Sequence, residues 1–314
     1  MPRDDRKDTT QVALVSALRA LLAGVIDYAA LFPPTSADMP RAVRDYASYR
    51  AGQESWMLGR FVLSVDRLDE FLDTYMMLDE RSRAGGWRLS TLLGDDAEAG
   101  LARVGDFNRT NHDIVIDAIE ARLTTPAAIA RAMHAVGRLP GSAASRAALF
   151  VEVPTSGDPA SIISAICEWG VNAKIRTGGT SADLIPSTAH VVQFLRECAD
   201  ANVPFKATAG LHHPLCGEYR LTYEPDSARA KMFGFLNVFL AASFMRIGLD
   251  DADIAAVLEE SDPRAFAADA NAVRWRDRSL SVDQITDARK FALCFGSCSF
   301  REPVDELAAL GFRP

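Results

Sequence analysis

Asn172-Ala173-Lys174-Ile175-Arg176-Thr177-Gly178-Gly179 and Pro204-Phe205-Lys206-Ala207-Thr208-Ala209-Gly210-Leu211-His212-His213 share one plan. Each opens as an apolar strand, carries a lysine inside it, and breaks into a small-residue loop containing glycine. Side chains alternate faces along a strand, so Lys174 shares a face with Arg176, and Lys206 with Thr208. One helical segment, 187–200, separates the two strands, which is the arrangement of neighbours in a parallel sheet. Side by side, they point both ammonium groups at one pocket. Crowding of two cations favours the neutral form of one, which is how an amine becomes nucleophilic near neutral pH. That is the chemistry of a Schiff-base enzyme.

The same alternation extends in both directions. Strands are predicted over 25–31, 56–63, 87–93, 113–119, 147–153, 171–176 and 203–207. Helices are predicted over 9–23, 39–52, 65–83, 95–109, from Thr125-Pro126 onward, 158–169, 187–200 and 227–247. Seven βα units without a long polar linker point to a parallel sheet wrapped by helices, and closure into a (β/α)8 TIM barrel fits best, as a single domain over residues 1–314. Two segments compete for the eighth strand, 272–280 and the small-residue stretch 295–300.

Barrels of this kind carry their active sites at the C-terminal ends of the strands. That rule collects Asp27, Arg60, Glu120, Glu152, Lys174, Arg176, Lys206, Thr208 and His212 on one face. Parity agrees: Glu120 follows Ile114, Ile116 and Ala118 on one side of its strand, and Glu152 follows Ala148 and Phe150. Carboxylates beside lysines are what proton transfer around an imine requires. The duller reading is a structural ion network inside the barrel. Arg176-Thr177-Gly178-Gly179 reads as an anion cradle, with a guanidinium fork, a hydroxyl and two glycines, and Gly210 adds a second permissive loop. Arg60 reads as an anion anchor or a salt-bridge partner, and His212 follows a strand end.

Bulk properties narrow the partners. The chain has 48% apolar and 24% charged residues and a net charge of −8, which argues against nucleic acid and anionic membrane. A small-molecule substrate is expected, no cofactor is called for, and a homo-oligomer is left open. The start, Met1-Pro2-Arg3-Asp4-Asp5-Arg6-Lys7-Asp8, lacks the apolar core of a signal peptide, so a cytoplasmic location is expected. The five cysteines read as reduced thiols; Cys294 and Cys298, four apart, read as core packing rather than as part of a metal site.

A strand-six lysine followed by Thr-Gly, and a strand-seven lysine followed by a small-residue Gly loop, resemble the barrel-fold class I (Schiff-base) aldolases, particularly the deoxyribose-phosphate aldolase type. The resemblance covers about residues 171–211, with Arg176 standing where that family has a small polar residue. It implies that Lys174 forms the imine and Lys206 perturbs it, in a carbon–carbon lyase. Two other readings compete. One is a barrel isomerase or lyase holding a divalent cation with Asp27, Glu120, Glu152 and His212. The other is a barrel that binds an anionic metabolite without catalysis.

Overall fold

The computed structural model describes residues 16–138 and 147–312. Eight parallel strands form a closed barrel: β1 (Ile26–Tyr28), β2 (Leu58–Ser64), β3 (Trp87–Leu92), β4 (Ile114–Ala121), β5 (Ala148–Glu152), β6 (Asn172–Arg176), β7 (Phe205–Thr208) and β8 (Ala292–Ser297). Each strand pairs with its neighbours in this order, and β8 closes on β1 with Asp27 opposite Gly296. Helices Met39–Ala51, Leu68–Met76, Ala97–Thr110, Pro126–Arg138, Ala160–Glu168, Thr188–Asp200, Phe235–Arg246 and Arg301–Ala309 follow successive strands. The fold is a (β/α)8 barrel. Several helix starts are set locally by capping, as where Asp38, Asp96 and Ser187 accept from backbone N–H groups of the first turn.

Outward residues of the strands form the layer between sheet and helices. Ala173, Ile175, Phe205 and Ala207 are all buried there, and Phe205 meets Phe194 of the covering helix at 5.6 Å between ring centroids. With both faces covered, the strands read as nearly continuous apolar runs, and a charged residue inside one stands out.

The eighth strand overlaps the 295–300 alternative and begins earlier, at Ala292. Residues 272–280 do not supply it. Ala272–Trp275 is instead the middle strand of a small antiparallel sheet, between Phe266–Ala268 and Arg278–Ser281. Val273, Trp275 and Leu280 are buried between more exposed neighbours, the alternation of a one-sided sheet. The barrel strand uses small residues because its inner face is tight: a Cβ on Gly296 would lie 3.0 Å from Thr208 Oγ1.

The helix expected over 227–247 starts later, at Phe235. Ahead of it, Gly217–Arg220 and Arg229–Met232 form an antiparallel hairpin, and Leu221 and Met232 reach the C-terminal mouth of the barrel. A Cβ on Gly234 would sit 2.3 Å from the Pro214 carbonyl oxygen, so only glycine passes there. Asn237, buried in the apolar helix, is fully used: it accepts from the Cys216 N–H at 2.8 Å and donates to the carbonyls of Val257 and Glu260. The helix expected over 65–83 is broken into Val65–Arg67, Leu68–Met76 and Glu80–Arg83. Of the helix expected over 9–23, Ala17–Leu22 is helical, and 9–15 lie outside the described residues. Among the described residues no helix is long and apolar enough to cross a membrane.

Candidate active site

Lys174 and Lys206 face each other across adjacent strands in register, and Glu152 is in register with Lys174 on the other side. The barrel interior assembles them into a row of alternating charge. Asp27 Oδ2 accepts from Lys206 Nζ at 2.8 Å; Lys206 also donates to Glu120 Oε1 at 2.6 Å. Glu120 Oε2 lies 2.8 Å from Lys174 Nζ, which is 3.0 Å from Glu152 Oε2. Ser90 Oγ donates to Glu120 Oε1 at 2.7 Å. Glu120 thus stands between the two amines. They do not crowd each other as bare cations, the arrangement the sequence suggested.

The lower part of the row is sealed. Asp27 and Lys206 are fully buried, and neither lines the cavity above. Two of the three Lys206 protons meet carboxylates, while its ammonium lies 5.4 Å from the centre of the Phe150 ring. Burial pulls the Lys206 amine down, but Asp27 and Glu120 outweigh it and hold the pKa above the ordinary lysine value. Burial likewise raises Asp27 and Glu120, and the cations outweigh it: Lys206 and Arg60 hold Asp27 below the ordinary carboxylate range, and Lys174 and Lys206 do so for Glu120. Cys294 Sγ donates to Asp27 Oδ2 at 3.2 Å, and burial beside that carboxylate pushes its thiol up to about 12.

The upper part opens into a cavity of about 220 Å³ at the C-terminal ends of the strands. Glu120, Lys174, Arg176, Thr208, Gly210 and His212 all line it. The Arg176 side chain has no hydrogen-bond or ion-pair partner among the described residues, so its guanidinium fork is available to a ligand. Gly179 belongs to the wall, whereas Thr177 and Gly178 tie the two loops together behind it. The Thr177 hydroxyl donates to the Ala209 carbonyl at 2.6 Å, and a Cβ on Gly178 would come within 3.0 Å of the Gly210 Cα. Their contribution to an anion cradle is therefore indirect.

Arg60 does not join the cavity. It lies four residues before the end of β2, about 13 Å back along the strand at roughly 3.3 Å per residue. There its Nε donates to Asp117 Oδ1 at 2.6 Å, and its backbone N–H to Asp27 Oδ1 at 2.9 Å. Parity gave the face correctly and left depth undetermined. The four proposed metal donors also fail to converge. Asp27, Glu120 and Glu152 hold lysines, His212 contacts Cys298, and among the described residues His213, Glu302 and Glu306 are the group whose ligand atoms come within 4.8 Å of one another.

Ser90, Cys294 and Cys298 were not read as site residues. Ser90 shares a strand face with Leu92, which reaches the cavity, and Cys298 has the same parity as Gly296. That periodicity was the available signal. A larger groove of about 560 Å³ near Tyr75, Arg83 and His112 lies at the N-terminal ends of β3 and β4, away from the buried charge row. No protein-family model matches the chain, and no curated protein matches it.

Proposed function

We propose that the protein is an aldolase-like carbon–carbon lyase that forms a Schiff base through Lys174 with a small carbonyl compound carrying a phosphate or carboxylate. The unequal setting of the two lysines carries this reading: Lys174 lines the cavity, and Lys206 is sealed beneath it between two carboxylates. A closed parallel barrel is compatible with such chemistry.

For attack, the Lys174 ammonium gives a proton to Glu152, whose side chain is 14% exposed against 3% for Glu120 and which has no second lysine to hold it anionic. The free amine adds to the substrate carbonyl carbon. Glu152 then returns the proton to the carbinolamine hydroxyl, which leaves as water, and the nitrogen becomes an iminium. When a base removes the proton of the β-hydroxyl, the carbon–carbon bond breaks and its electron pair moves into the iminium. Glu120 and Glu152, the carboxylates in contact with the reacting amine, are assigned these transfers. Lys206 keeps Glu120 charged and oriented, and Arg176 with the Gly179 and Gly210 loops holds the anionic group.

Borohydride reduction with a panel of small aldehydes and keto acids tests the proposal. A reduced adduct on the peptide containing Lys174 is expected; a panel that leaves no adduct on any lysine defeats the Schiff-base assignment and favours a binding barrel.

A further inference from the structure

Cys298 sits in the cavity wall, just past the C-terminal end of β8, two residues beyond Gly296, which lines the same cavity. Its Sγ lies 3.8 Å from His212 Nδ1, 3.9 Å from His212 Nε2 and 3.7 Å from the Tyr223 hydroxyl. Polar groups reach the sulfur and its histidine from several elements. His212 comes from the loop after β7, and Tyr223 from the turn of the hairpin. Glu302, on the helix after β8, is 3.5 Å from His212 Nδ1 and accepts from Tyr223 at 3.0 Å, and Glu306 lies on the same helix. Ser297 Oγ is 3.3 Å from His212 Nδ1, and Thr35 Oγ1 donates to the Cys298 carbonyl at 3.2 Å.

These contacts work against burial. Burial raises the Cys298 thiol, but hydrogen bonding and charge from His212, helped by Thr35 and Tyr223, bring it below the ordinary value. Burial lowers His212, and Cys298, Glu302 and Glu306 bring it above. The two shifts have one origin: each group favours the charged form of the other, a thiolate beside an imidazolium. Tyr223, raised by burial and by Cys298, keeps its proton and remains a donor. Cys198 and Cys216 are raised by burial, and exposed Cys167 has its sulfur on the Ala201 carbonyl at 3.4 Å.

We propose that Cys298, set between His212 and Tyr223 in the cavity wall, is a modification site at which a small hydroperoxide oxidises the sulfur. The sulfur attacks one peroxide oxygen, an S–O bond forms and the O–O bond breaks. The departing oxygen takes the His212 proton and leaves as water or alcohol. The sulfur is oxidised by two electrons to a sulfenic acid, and the peroxide is reduced by the same two. Cys294 cannot resolve the product: it lies four residues back, roughly 13 Å along the strand, far beyond disulfide reach. The added oxygen then stays in a cavity that Lys174 shares.

The experiment treats the full chain with hydrogen peroxide and dimedone and follows each cysteine by peptide mass spectrometry from pH 6 to 8. It reads the sulfur directly, so its outcome does not depend on whether Lys174 forms an imine. Cys298, 5% exposed, is expected to label at least about 10-fold faster than exposed Cys167, with a rate that rises less steeply with pH than that of Cys167. In His212→Asn the Cys298 rate is expected to fall about 10-fold and to rise with pH like that of an ordinary thiol, with Cys167 unchanged. Tyr223→Phe supplies a second variant, with a smaller loss, should His212→Asn fail to fold. Faster labelling of Cys167, a wild-type Cys298 rate that climbs with pH as an ordinary thiol does, or a Cys298 rate that neither substitution alters would overturn the proposal.

Discussion

The barrel interior repeats the same residue types at two levels with opposite outcomes. At the lower level Lys206 and Cys294 surround Asp27, all fully or almost fully buried, and each polar atom is held by a neighbour. At the upper level Lys174 and Cys298 line a cavity, with Arg176 beside them. A lysine or a cysteine has no fixed role in such a barrel. Its partners and its access to a ligand decide whether it is mortar or reagent, and Glu120, which touches both lysines, couples the two levels.

The sharpest way to break this contrast is to exchange the roles of the lysines. Lys174→Ala is expected to abolish borohydride trapping and to lower turnover by about 10⁴-fold or more, as loss of a covalent nucleophile does. Trapping that persists in this variant and vanishes in Lys206→Met would reverse the assignment.

Stability separates the levels next. Lys206→Met leaves Asp27 and Glu120 buried with one cation fewer, and a cost of about 3–5 kcal/mol is expected in denaturant unfolding, with some trapping at Lys174 retained. A cost below about 1 kcal/mol would mean that the lower level is not held by its ion pairs.

The cause of that cost has a pH signature. Asp27 and Glu120 have folded pKa values below their ordinary 3.8 and 4.5, so their contribution is present above those values and is lost as pH falls through the folded ones. Lys206 is shifted upward, so its contribution is complete below its ordinary 10.5 and fades only as pH rises through the folded value. The Tm difference between wild type and Lys206→Met should therefore hold steady from about pH 5 to 9 and shrink below about pH 4. A difference that stays constant down to pH 2 would point to lost packing instead of lost charge pairing.

At the upper level, Arg176→Ala is expected to raise the KM for an anionic substrate about 10- to 100-fold, the value of a charge-assisted hydrogen bond, and Arg176→Lys to restore part of it. Equal KM values would remove Arg176 from the site. The smallest effect is expected for Thr177→Val, which loses the bond to the Ala209 carbonyl: about 1 kcal/mol in thermal unfolding, with trapping unchanged. A complete loss of trapping there would give the hydroxyl a direct part in chemistry.

Much of this was legible because a barrel strand has few options. Alternation placed Lys174, Lys206 and Glu152 on one face, and that face is the interior; Glu120 reaches it only because the β4 register shifts between Ile116 and Ala118, which turns Ala118 and Glu120 inward while Ile114 and Ile116 face the helices. Residues 292–297 were harder to read as a strand, since Cys294 and Gly296 are small where a β-branched pattern would have been conspicuous. The second hairpin strand, Arg229–Met232, falls inside the helix expected over 227–247, and Gly217–Arg220 carries no sequence signal, because a short two-stranded ribbon leaves only a weak periodic trace.

Sequence by itself determined the order of the first seven strands and the parallel barrel they point to, and it set the faces of Lys174, Lys206 and Glu152, because period and handedness are local properties of an L-polypeptide. Tertiary structure alone decided depth and partnership: that Arg60 lies beneath the site, that Glu120 separates the lysines, and that Cys298 meets His212 from 86 positions away. Those outcomes depend on where each strand begins and how the barrel staggers its neighbours, and a short-range Coulomb or hydrogen-bond contact exists only once that register is set.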